Sequence, residues 1–335
     1  MMRDLSKAVA AAVVLASASA AQAQDLRQTI VGCADLECPA ANTQVATTDN
    51  CTVADVGSYP LIGLTRVPTS ASALQGLSWT QGFSIADDDA GRHFRRAYFL
   101  GEPPELDVAG STDTGGCAIL VHGLSEGLAF GPDGPSEAGQ GTCADALGAE
   151  CVSAILDRAR AVAAGFTGDG RPADTFTGCA RIRRDLANNT IDACLPAVRG
   201  LLTDMDAVAL TGSDAEQRIS PEKQSASSCW PITPKEDRLT LVAEFERVGT
   251  NQVQDTQSAA WAITPILTVF YPTGAQSLVT EIDASLSCVK IVGPSRASLP
   301  TMSSGEPESG AAGLSAPESW GLGAFAAAAL ALYAL

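Results

Sequence analysis

The sequence predicts a disulfide-rich α+β fold in a single domain, with two β-rich parts flanking a helical segment. Three observations predict it. Ten cysteines, an even number, are spread through the chain rather than clustered in ligand-type pairs. Apolar residues alternate with polar ones, or run unbroken, on both sides of the middle. In the middle itself, Cys143, Leu147, Cys151 and Ile155 recur every four residues, the spacing of one helix face.

Taken in order, the chain begins with Arg3 and Lys7 ahead of an apolar run from Ala8 to Ala21 and the small-residue site Ala21-Gln22-Ala23. That pattern is a secretory signal, so residues 1–23 are expected to be removed. A bilayer span needs about 20 apolar residues, and this run is shorter. Residues 24–70 carry Cys33, Cys38 and Cys51 with little periodicity and read as an irregular, disulfide-tied lead-in. Strands are predicted at 77–85, 93–101 and 116–124, the first two joined by a polar turn over 86–91.

Cys143 to about Ala164 reads as one amphipathic helix ended by Gly165 and Gly168, and Ala173–Ala187 as a second. The stretch 194–210 fits a helix or irregular chain. Strands return where Leu239, Leu241, Ala243 and Phe245 alternate with polar residues, where 262–271 is apolar on both faces, and where Ile282, Ala284, Leu286 and Cys288 alternate with Asp283, Ser285 and Ser287. Residues 24–292 therefore form the expected ectodomain; two domains divided near residue 230 are the alternative.

Residues 293–309 are rich in Ser, Pro and Gly and read as a stalk. Beyond it lie a small-residue cluster at Ser309-Gly310-Ala311, a spacer, and an uncharged run from Trp320 to Leu335. This is the pattern of a glycosylphosphatidylinositol (GPI) attachment signal, with 310–335 as propeptide. Ser309 is the expected attachment residue, followed by Gly310 and then the Ser303-Ser304-Gly305 cluster.

The formal net charge is −17. The charges lost with the two terminal segments cancel, so the acidity belongs to the ectodomain. An acidic surface excludes nucleic acid as a partner, because phosphates need a basic face to displace their counterions. Contact with membrane is expected only through the anchor, in the outer leaflet. Cell-wall glycan or another surface protein remains as the partner class.

In an oxidising compartment Cys33, Cys38, Cys51, Cys117, Cys143, Cys151, Cys179, Cys194, Cys229 and Cys288 are expected to form five bridges. No CxxC pair occurs and the histidines are only His93 and His122, so neither a metal nor a cofactor is expected. Eight residues of one helix separate Cys143 from Cys151 by about 12 Å, too far for a bridge. An antiparallel helical hairpin predicts Cys151–Cys179 and Cys143–Cys194 instead. Asn50 and Asn188 begin N-x-T acceptor sequences.

The sequence holds one motif with the look of chemistry, Gly123-Leu124-Ser125-Glu126-Gly127. It matches the GxSxG nucleophile elbow, but that arrangement requires a helix directly after the serine and a histidine later in the chain. Gly131-Pro132 and Gly134-Pro135 follow instead, and no histidine lies beyond 122. Ser125 is therefore read as non-catalytic. Asp87-Asp88-Asp89 lacks the spacing of a calcium loop and reads as a hairpin tip. Asp107, Glu126, Asp133, Glu137, Glu244 and Glu246 are acids of the type that paired-carboxylate glycoside hydrolysis uses. Trp79, Trp230 and Trp261 are expected in the core.

The stretch Ser58-Tyr59-Pro60-Leu61-Ile62, the block LSWTQGFSIADDDAGRHFRRAYFLGEPPELDV over 77–108, and the segment from Gly141 through Cys151 resemble a group of fungal secreted, cysteine-rich, often GPI-anchored proteins. The resemblance spans about residues 30–292 and implies a fungal cell-surface setting, with no site residues carried over. The leading expectation is a GPI-anchored surface glycoprotein with a non-enzymatic structural or binding role at the membrane–wall boundary. A glycan-active hydrolase or remodelling enzyme, and a host-facing ligand-binding effector, are the alternatives.

Overall fold

The computed structural model describes residues 30–292, apart from 37, 39–50, 54–55, 90, 123, 125–126, 133, 138, 167–171, 173, 198–201, 203 and 228. The signal segment, Asn50, Ser125, Glu126, Asp133, the stalk, Ser309, Gly310 and the terminal propeptide lie outside the described residues. No helix among the described residues is long and apolar enough to cross a membrane.

The fold is α+β and built in layers. After the short hairpin β1 (Cys51–Val53) and β2 (Gly57–Tyr59) come β3 (Leu61–Arg66), β4 (Ser78–Asp88), β5 (Gly91–Glu102) and β6 (Thr114–Val121). Helices α1 (Cys143–Leu147), α2 (Ala149–Ala164) and α3 (Thr175–Asn188) follow. The remainder is β7 (Met205–Ala209), α4 (Pro221–Ala226), β8 (Arg238–Gly249), α5 (Val253–Ala260), β9 (Thr264–Pro272) and β10 (Asp283–Val289). One antiparallel sheet runs β3-β4-β5-β8 and the other β10-β9-β6-β7. Both sheets contain strands from either side of residue 230, so a boundary there would cut through each of them.

The two sheets pack face to face. Trp79, Tyr98 and Leu100 of the first meet Ala118, Leu120, Ile266 and Phe270 of the second. Tyr98 Oη pairs with Thr264 Oγ1 at 2.9 Å, and Trp79 Nε1 donates to Thr268 Oγ1 at 3.0 Å, so the polar groups carried into this interface are satisfied across it. The alternate residues of β6, Cys117, Ile119 and Val121, face the helices, as the period of two requires. Strand β9 is buried along nearly its whole length, in agreement with its two-sided apolar pattern.

On the helical side, Cys151, Ile155, Ala159 and Ala163 form the buried stripe of α2. The single helix expected from Cys143 is broken into two at Gly148, whose φ of +86° favours glycine. Thr142 caps α1 by donating its amide and hydroxyl to Asp145 Oδ2 at 2.6 and 2.8 Å. Asp174 accepts from the Thr177 amide at 2.6 Å to start α3.

Three further expectations need correction. The lead-in over 24–70 is not irregular throughout, because among its described residues β3 pairs with β4 along its length and Val31 bridges to Leu64 on its other edge. The stretch 194–210 ends in strand β7, paired with β6 from Met205 to Ala209. The acidic run at 87–89 is only partly a tip: Asp87 and Asp88 belong to β4.

All ten cysteines are bridged, with Cα separations from 4.5 to 6.3 Å: Cys33–Cys51, Cys38–Cys229, Cys117–Cys179, Cys143–Cys288 and Cys151–Cys194. Neither pairing predicted from a helical hairpin occurs. Helices α2 and α3 do pack together, with a two-pronged Arg158–Asp185 contact. Cys151 of α2 bridges Cys194 in the turn after α3, while the cysteines of α3 and α1 reach the sheet. Cys179 meets Cys117 on β6, and Cys143 meets Cys288 on β10, so two bridges tie helix to strand instead of helix to helix.

Candidate functional site

The two sides of the sandwich differ. On one side the chain leaves β10 and crosses to β3, where the Val292 amide donates to the Ile62 carbonyl at 2.8 Å. On the other side lie the edge strands β7 and β8. Arg218 bridges to Thr240 and the Ile219 amide donates to the Leu239 carbonyl at 2.9 Å, covering the start of β8. From Leu241 onward no strand among the described residues pairs with its outer edge.

Where that cover ends, a groove of about 500 Å³ opens, lined by Val56, Ile219, Lys223, Leu241 and Glu244 among others. A separate small pocket beside it, sharing Glu216 and Val242 with the groove, is lined by Glu102 and Val108. Glu102 is 1% exposed. Its Oε1 accepts from Arg218 Nε at 2.6 Å and its Oε2 from the Val108 amide at 3.0 Å. Burial raises its pKa above the usual glutamate value, with the Val108 amide and the Arg218 charge working against that rise. Arg218 also pairs with Asp107. The groove therefore has an apolar floor and a rim of both charge signs.

Two imidazoles flank this edge. His93, on the outer face of β5, sits between Glu246 Oε1 at 2.7 Å and Asp88 Oδ1 at 2.9 Å. The hydrogen bond to Glu246, then that to Asp88, raises its pKa. His122, just past β6, is 5% exposed and stacks on Phe245 of β8 at 4.3 Å between ring centroids. Burial lowers its pKa, although Asp206 lies 3.2 Å from its Nε2 and works in the opposite direction.

On the sealed side, Lys290 is buried and donates from Nζ to the carbonyls of Ser136 and Glu137 at 2.6 and 3.1 Å. Burial pushes its pKa down to about 8.

Of the acids singled out in the sequence, Glu244 lines the groove, Asp107 neutralises Arg218, and Glu246 holds His93 and Arg95. The Glu137 carbonyl accepts from Lys290. Trp79, Trp230 and Trp261 are buried. Among the described residues after His122 no helix begins until Cys143, unlike the immediate strand-to-helix turn of a nucleophile elbow. Asn188 is exposed at the end of α3. One group of metal-type ligands lies close together among the described residues, Cys33, Cys38 and Cys51, with sulfurs within 4.8 Å. All three sulfurs are used in disulfides.

Glu102, Arg218 and Lys290 escaped notice in the sequence. Their importance comes from burial and from partners 116 and 154 residues away, and no local spacing encodes either. Compared with known proteins, the chain matches no protein family, no curated sequence and no solved structure.

Proposed function

We propose that the chain is a GPI-anchored, disulfide-braced surface glycoprotein with a structural or binding role at the boundary between membrane and cell wall. The observation that carries this reading is the complete pairing of ten cysteines into five bridges, which fits an oxidising, extracellular compartment. The exposed sequon at Asn188 and the resemblance to fungal surface proteins agree with it. The groove beside β8 is the place where such a protein would meet a partner.

A glycan-active hydrolase is the second reading. It is favoured by Glu102, a buried carboxyl of raised pKa in the small pocket next to a groove that carries Glu216 and Glu244. Glycosidases use two carboxyls whose surroundings push their pKa values apart.

Two measurements separate these readings. Cells expressing the full chain are treated with phosphatidylinositol-specific phospholipase C, and release of the protein supports the anchor. Retention, with a control GPI protein released, removes it. The released protein is then incubated with insoluble wall polysaccharide. Pelleting without soluble sugar supports a binding role, and released sugar transfers the case to the hydrolase.

A further inference from the structure

Strand β8 is twelve residues long, yet its outer edge is covered only as far as Thr240. From Leu241 to Gly249 it is paired with β5 alone among the described residues. An edge of this length is a template for another strand, and proteins that have no use for one shorten, bulge or cover it. Here β8 carries one shift in its register with β5, between Leu241 and Ala243, and beyond it the edge is held in place. Phe245 stacks on His122, and the Arg247 guanidinium lies 5.5 Å from the centre of the Phe94 ring. The opposite face of β8 presents Glu244, Glu246 and Val248 to solvent, Val248 at 53% exposure.

The charges on this edge select the occupant. A second copy would have to pair antiparallel about a two-fold axis through one residue, which then faces itself. Centring on Glu246 opposes two glutamates, centring on Phe245 sets Glu244 against Glu246, and centring on Arg247 opposes two arginines. These three registers, centred on the charged stretch, bring like charges together, which is destabilising. Asp204, Asp206 and Glu216 add exposed negative charge along the same side of the sandwich. Lys223 and Arg218 are the cations of the groove, and Arg218 is already engaged by Glu102 and Asp107. A segment with lysine or arginine at alternate positions is complementary to this edge where a copy of the chain is not.

We propose that the edge of β8 from Leu241 to Gly249 takes an extended, basic segment of a partner protein as an added antiparallel strand, with one partner side chain entering the groove beside Leu241 and Ile219. Main-chain hydrogen bonds along the edge supply affinity, and Glu244 with the groove supplies selectivity. The inference stands apart from the anchor and from polysaccharide binding.

The probe is a fluorescent nine-residue peptide of alternating Lys and Thr, titrated against protein expressed from the full sequence. A second peptide carries proline in place of the central threonines, which keeps the charge but removes main-chain donors. The expected result is saturable binding that weakens with salt, at least tenfold weaker for the proline peptide. Amide hydrogen exchange should slow within 243–249. The double variant Glu216→Lys/Glu244→Lys, in which both changes are at exposed positions, should also bind at least tenfold more weakly while its exchange elsewhere stays unchanged. Equal binding of the two peptides, absence of binding at millimolar peptide, or no protection of β8 would overturn the proposal. So would concentration-dependent dimerisation that protects the same amides without peptide.

Discussion

Gly63 lies so close to Lys290 that a methyl group on its Cα would stand 1.6 Å from the Lys290 carbonyl oxygen. No side chain can rotate out of such a contact, because the opposing atom is main chain. The close approach lets the end of β10 cross to the edge of β3 and seal that side of the sandwich.

Gly63→Ala must therefore separate β3 from the crossing chain. Overpacking of this kind costs about 3 kcal/mol. Urea denaturation of the purified variant should show that loss, and a variant within about 0.5 kcal/mol of the native chain would contradict the packing described.

Lys290 itself gives stability a particular pH dependence. The folded state releases its proton near pH 8, whereas the unfolded chain keeps it to about 10.4. Between these values the unfolded state binds more protons, so this residue's contribution to stability rises with pH, by up to about 3 kcal/mol. Below pH 8 both states are protonated and the contribution is level. Denaturation midpoints measured from pH 7.5 to 10.5 should rise relative to those of Lys290→Met; parallel curves would refute the assignment.

The two histidines are shifted in opposite directions. His93, bonded to Glu246 and Asp88, should titrate above the ordinary value of about 6.5, and His122, buried against Phe245, below it. For His93 the sign of the linkage is fixed: its stabilising contribution is fully present below the unfolded pKa and is lost as pH rises through the folded one. NMR titration of the imidazole signals, assigned by His93→Gln, checks both. Glu246→Gln should bring the His93 midpoint down; an unmoved midpoint would show that Glu246 does not hold the proton.

Bridge assignments can be read directly. Non-reducing digestion should yield a peptide linking α2 to residues around 194, and another linking the start of α1 to β10. Replacing Cys151 and Cys194 together by alanine opens a loop of 43 residues, which costs about 4 kcal/mol in the chain-entropy account. A Cys151–Cys179 fragment would restore the hairpin pairing.

Much of the secondary structure was legible because burial leaves a local signature. The four-residue spacing of Cys151 and Ile155 marks α2, and the alternation through Leu286 and Cys288 marks β10. Strand β7 was hidden because its five residues, Met205 to Ala209, are too few to establish a period. Strand β3 was hidden because it is buried on both faces and its alternation is lost. The disulfide partners failed for a related reason: a helix pattern tells which face Cys179 is on, but not that β6 lies beneath it. The edge site was harder still. Glu244 and Glu246 are visible as alternating acids, while the groove beside them depends on Val56 and Ile219 arriving from distant parts of the chain.

The bridge between Cys143 and Cys288 also has a mechanical side. Tension entering the domain through residue 292 first meets the Ile62–Val292 contact. Once that yields, only 289–292 can be drawn out before the load reaches Cys288 and passes through a covalent bond into α1. A domain hung from its C-terminal end would therefore lose at most four residues to peeling, and β10, with the sheet registered on it, would stay seated under shear.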